Sequence, residues 1–166
     1  MNRMIRGWGG FLLIIACAAG APFLLERIAQ HGVPPALAGL QLVRLYDGAQ
    51  AEETVNRMHG AAVATTKTMI GLYVGSEGRA TLYVSNYPTD AEARGDYDRM
   101  CRRIAPGDSG FTGFQQMMVD GRSVAVCVGE GRLHCFFVQR DRLYWLATDS
   151  NVAREVLKDL LAKSGR

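Results

Sequence analysis

Seven short runs of alternating apolar and polar residues, joined by tight turns and interleaved with helix-period stretches, predict an α+β fold. Its exported part reads as an antiparallel sheet with three helices on one face, in the order β-α-β-β-α-β-β-β-β-α. An uncharged stretch over residues 7–25 adds an N-terminal transmembrane helix in front of it. At 166 residues, with 48% hydrophobic and 21% charged, the chain fits one globular domain with a modest core. Nineteen basic against sixteen acidic residues leave +3, too even a balance for an obligate nucleic-acid binder.

The N-terminal stretch is long enough, at roughly 28 Å as a helix, to cross a hydrocarbon core. Arg3 and Arg6 precede it, Glu26 and Arg27 follow as a mixed pair, and Trp8 sits at an interfacial level. The positive-inside bias then holds the N-terminus in the cytoplasm and exports the rest. Three fates compete for the segment. It is retained as a signal anchor, or it is cleaved after Ala18 or Ala21, or the lipobox-like Ile14-Ile15-Ala16-Cys17 leaves a lipidated Cys17. A patch of small residues, with Ala16, Ala19 and Gly20 at its heart, would let a partner helix approach closely. The expected organisation is a membrane anchor over 1–28, a Pro-containing spacer over 29–39 around Pro34-Pro35, and an extracytoplasmic domain over 40–166.

Within that domain, residues 41–46 alternate as a strand, and Asp47 and Gln50 are placed to cap a helix over 48–59 that Gly60 ends. Residues 69–75 and 79–86 read as a hairpin around Ser76-Glu77-Gly78. Ile70, Leu72 and Val74 would then share the buried face with Ala80, Leu82 and Val84, leaving Tyr73, Tyr83 and Tyr144 outside as an interaction face. Thr89 and Glu92 form a capping pair for a second helix, whose stripe is Ala93, Tyr97, Met100 and Ile104. A meander follows. Asp120-Gly121 is a strong type I′ signal, and the turns Gly129-Glu130-Gly131 and Arg140-Asp141 come after it. Setting Gln139 opposite Arg142 brings Phe136 opposite Trp145. Asp149 or Ser150 caps a last helix that buries Val152, Val156, Leu157, Leu160 and Leu161.

The run Gly71-Leu72-Tyr73 through Gly78-Arg79-Ala80-Thr81-Leu82-Tyr83-Val84 is similar to a GxxxTLYV hairpin in the periplasmic domains of proteobacterial transmembrane anti-sigma regulators. Phe137 with Leu143-Tyr144-Trp145-Leu146, followed by an apolar helix, resembles the end of the same domains. Those regulators carry a cytoplasmic sigma-binding region, for which the residues ahead of Gly7 leave no room. The resemblance therefore implies the exported module alone, and with it a ligand- or stress-sensing role.

The chemistry-bearing residues form no recognisable motif. Cys17, Cys101, Cys127 and Cys135 include no CxxC pair. Cys127 and Cys135 flank one turn, and its length decides their relation. A two-residue loop at Glu130-Gly131 pairs Cys127 with His134, whereas a five-residue loop sets the two cysteines opposite, where a disulfide forms. Cys127, His134 and Cys135, with Cys101 or His59, are the nearest approach to a metal set, and neighbouring strand positions point apart. No nucleophile motif, carboxylate pair or phosphate loop is present, so no catalytic residue, metal or cofactor is expected. The sequence reading is a non-enzymatic, membrane-anchored accessory subunit of the inner membrane, its domain in the periplasm and its partners other membrane-protein subunits. The alternative is a periplasmic ligand- or stress-sensing domain.

Overall fold

The computed structural model describes residues 32–59 and 67–165. The elements are β1 (Ala36–Leu37), β2 (Leu40–Asp47), α1 (Gly48–His59), β3 (Thr68–Val74), β4 (Arg79–Asn86) and α2 (Asp90–Ile104), then β5 (Thr112–Val119), β6 (Arg122–Gly129), β7 (Arg132–Gln139), β8 (Arg142–Thr148) and α3 (Ala153–Ser164). All eight strands join one antiparallel sheet in the order β1-β2-β3-β4-β8-β7-β6-β5. The sheet is two meanders fused where β8 returns along β4.

The connection between the meanders explains the place of α2. A chain leaving β4 for β5 must cross four strand spacings, about 19 Å. The fifteen residues of α2 span about 22 Å as a helix. The helix accordingly lies across β7 and β8. Thr89 caps it, its side chain accepting the Glu92 N–H at 3.2 Å, as the sequence predicts. Beneath it Tyr97 and Ile104 pack with Ala125, Cys127, Phe136 and Leu143. Phe136 stacks on Trp145 at 4.8 Å and 9°, a pairing worth about 0.5–1.5 kcal/mol beyond its buried area.

The opposite face carries α3, whose Val156, Leu157, Leu160 and Leu161 pack on Leu82, Val84, Phe137, Tyr144 and Leu146. Helices therefore cover both faces, not the single face the sequence suggests. Antiparallel hairpins leave that choice open, and the crossing by α2 takes the second face. Val152 stands at the start of α3 without a side-chain cap. Asp149, expected there, instead accepts the Arg79 backbone N–H at 2.9 Å.

The expected transmembrane helix is not supported. Among the described residues no helix is long and apolar enough to cross a membrane. The segment that suggested a signal anchor, with Ala16, Ala19 and Gly20, lies outside the described residues, as does Gly60. The described part of the expected spacer is built into the domain. Val33 and Leu37 are fully buried, the Leu42 N–H donates to the Pro35 carbonyl at 3.0 Å, and Lys163 Nζ donates to the Ala36 carbonyl at 2.9 Å. Two prolines in a row stiffen a segment whether it spaces or packs. The apolar residues on either side decide for packing.

Candidate functional site

Of the two edges an open sheet must have, one is blunted. Strand β1 is two residues long, and β2 bulges between Leu42 and Arg44, with Arg44 and Asp47 along its open part. Short strands, bulges and charges are how sheets discourage edge pairing. The other edge, β5, has eight residues, TGFQQMMV, with neither a charge nor a proline. Gly113, at φ +64, sits within a bulge between Thr112 and Gln115. Beyond it the strand runs straight to Val119.

The Asp120-Gly121 turn positions this edge. Both residues hold positive φ, +48 and +78, the type I′ geometry whose twist matches that of the strands. Its two-residue loop makes Val119 and Arg122 a hydrogen-bonded pair, so Met117 and Gln115 also face β6. The N–H and C=O groups of Gln116 and Met118 then point to the open side. Met118 is 69% exposed and Met117 42%. Met117 lies opposite Val124, on the α3 face, while Met118 lies on the α2 face with Gln116. The edge is held from behind, because Gln116 Nε2 donates to Tyr97 Oη at 3.1 Å and Phe114 packs near Phe136. Flexible, polarisable methionines on a fixed strand make an adaptable apolar contact.

The tyrosines expected as an interaction face are not one. Tyr73 and Tyr144 are fully buried and Tyr83 half-buried. For Tyr73 the reason is one residue of loop length, whereas Tyr144 pairs with Val84 and shares its buried face. The β3–β4 turn holds four residues, 75–78, closed by the Gly75 N–H donating to the Gly78 carbonyl at 3.0 Å. Val74 therefore pairs with Arg79 and Tyr73 with Ala80. A one-residue slip exchanges the faces of a strand. Tyr73 joins the α3-side core with Leu82 and Val84, and its hydroxyl donates to the Pro34 carbonyl at 2.7 Å. Tyr144 stacks on Phe137 at 4.9 Å. Burial pushes both phenols above their ordinary pKa.

The cysteine pair takes the two-residue alternative. Glu130 and Gly131 hold φ +53 and +72, Cys127 pairs with His134, and Val126 with Cys135. The two thiols lie on opposite faces and are free. Desolvation raises them to about 11 for Cys127 and about 12 for Cys135, the condition of inert core thiols. His134 is buried between neighbours: the Trp145 indole N–H donates to its Nδ1 at 3.0 Å, so Nε2 carries the proton and donates to the Gly129 carbonyl at 3.0 Å. Among the described residues no three His, Cys, Asp or Glu side chains are grouped to hold a metal ion.

The segments that carry the anti-sigma resemblance occupy adjacent strands at the centre of the sheet, β3-β4-β8-β7. No protein-family model matches the chain, and no curated protein matches it. Among solved structures, the crystal structure of a GTP-binding regulator from Thermotoga maritima is similar, with a TM-score of 0.55, 12% identity, and coverage of 84% of this chain and 86% of that one. At that identity the likeness is one of fold.

Proposed function

We propose that this chain is a non-enzymatic interaction protein, an accessory subunit that engages a partner by strand addition along β5. The observation that supports it is the uncharged edge of β5, open along its backbone and flanked by Met117 and Met118. A partner fitting it supplies an extended, uncharged segment, whose backbone meets Gln116 and Met118 and whose apolar side chains cover the methionines. A sensing domain holding an apolar ligand between sheet and helix finds less support, because side chains fill both of those spaces.

The test is hydrogen exchange on the complex recovered through a tagged full chain. The amides of Gln116 and Met118 exchange rapidly in the isolated protein and become protected in the complex. Met118→Lys abolishes recovery, while Val43→Lys on the blunted edge leaves it intact. Equal recovery by both variants would sink the assignment of β5.

A further inference from the structure

We propose that the strand added along β5 is β5 of a second copy of this chain, an inference that rests on the open edge described above. In a closed pair one patch meets itself, so every residue faces a copy of its neighbours. A charged strand would then set like charges opposite one another, which is destabilising. The eight residues of β5 carry no charge, whereas β2, β4, β6, β7 and β8 each carry at least one. Of the other two uncharged strands, β3 is central and β1 has two residues.

The strand also fixes where a two-fold axis passes. Its straight part lies between the bulge at Gly113 and the Asp120-Gly121 turn, and the residue midway is Met117. The backbone of Met117 is bonded to Val124 on β6, so Met117 and its copy form a non-hydrogen-bonded pair. Gln116 then meets Met118 of the second copy, and Met118 meets its Gln116. Both are hydrogen-bonded pairs with two bonds each, so the outward N–H and C=O groups of both residues are satisfied. An axis at Gln116 would set the bulged Gly113 against Val119 of the second copy. One at Met118 would run Gln115 and Gln116 into the turn.

The side chains suit this register. Met117 meets its copy on the α3 face, beside Gln115 and Val119. On the α2 face Met118 meets Gln116, whose Nε2 is turned back to Tyr97 Oη at 3.1 Å and Cys101 Sγ at 3.6 Å, leaving its aliphatic stem for the methionine. Helix α2 lies over β7 and β8, and α3 over β7, β8 and β1. They are thus set back from the edge by two strand spacings, about 10 Å. Asp120 and its copy stand six positions apart along the paired strands, about 20 Å, which salt screens. One strand per copy is a small interface, below about 1,200 Å² in all, so association belongs in the micromolar range.

The experiment is sedimentation equilibrium of the full chain from about 1 to 200 μM, with hydrogen exchange at both ends of that range. Met117→Cys and Met118→Cys are oxidised in air with copper phenanthroline, and the links are mapped by peptide mass. The chain is expected to pass from monomer to dimer, with the amides of Gln116 and Met118 gaining protection as it does. Met117→Cys should link to its copy, about 4.5 Å away between Cα atoms. Met118→Cys, about 8 Å from its copy, should not. Met118→Lys is expected to raise the dissociation constant about tenfold, and Val43→Lys to leave it unchanged. A monomer throughout, with both amides exchanging rapidly, overturns the second copy and leaves the edge to a different partner. Slow exchange of those amides in the monomer overturns the open edge itself, and with it the function proposed above. A dimer that leaves them unprotected, or that links Met118→Cys as readily as Met117→Cys, overturns this pairing.

Discussion

Replacing Tyr73 separates the four-residue β3–β4 turn from a three-residue one, because the two place this side chain on opposite sides of the sheet surface. Tyr73 is fully buried and donates to the Pro34 carbonyl at 2.7 Å. Tyr73→Phe keeps the ring and removes the bond, at a cost of about 1–2 kcal/mol. Tyr73→Ala also removes the ring; truncating a core aromatic costs about 3–5 kcal/mol, so the total is about 4–7 kcal/mol. Val74, its neighbour, is 44% exposed, and Val74→Ala should stay within about 0.5 kcal/mol. In urea, with a slope of about 2 kcal/mol per molar, the midpoint falls by about 0.5–1 M for Tyr73→Phe and barely moves for Val74→Ala. Tyr73→Ala either falls by about 2–3.5 M or fails to fold. The reverse order, with Val74→Ala costly and both Tyr73 variants mild, would refute the register and the core built on it.

Three further outcomes follow from the same packing. A Cβ on Gly129 would lie 2.4 Å from Phe111, whose ring rests on His134 and Trp145; Gly129→Ala should displace that ring, cost about 1–3 kcal/mol and change Trp145 fluorescence. Burial holds the His134 pKa below its ordinary 6.5, so the unfolded chain takes up the proton first. That contribution is fully present above pH 6.5 and is lost as pH falls from there towards the folded value; melting temperatures measured across this window should fall less in His134→Gln. The half-exposed Cys101 should react with iodoacetamide in the native state, Cys127 and Cys135 only after denaturation, and a native Cys127–Cys135 bridge detected by mass analysis would contradict the β6–β7 register.

Where a turn had a two-residue solution with the right chemistry, the sequence carried the register through to the packing. Asp120-Gly121 forms the expected hairpin, and Gln139 opposite Arg142 brings Phe136 onto Trp145. These positions need positive φ or an alternating partner, and both requirements are local. The β3–β4 turn was not legible in the same way. Gly75 and Gly78 both permit tight geometry, and apolar residues occupy both parities, with Ile70 and Leu72 on one side and Met69 and Tyr73 on the other. A strand buried on both faces has no polar side to fix its phase. The face taken by α2 was likewise invisible, since it depends on the distance from β4 to β5.

The open β5 edge was readable only in part, and what remains is an argument from asymmetry. Both edges of this sheet face the same hazard, because unpaired N–H and C=O groups invite any extended chain. At β2 the hazard is met by β1, by the Leu42–Arg44 bulge and by charged side chains. At β5 a bulge at Gly113 protects only the entrance, and Gln115 to Met118 are left exposed. An edge of this kind either carries a partner or costs the isolated protein solubility. The two effects of Met118→Lys are therefore linked: it should raise the solubility of the isolated chain and abolish strand addition together. A variant that gained solubility and kept its partner would place the docking surface elsewhere, and the exposed methionines would then need another explanation.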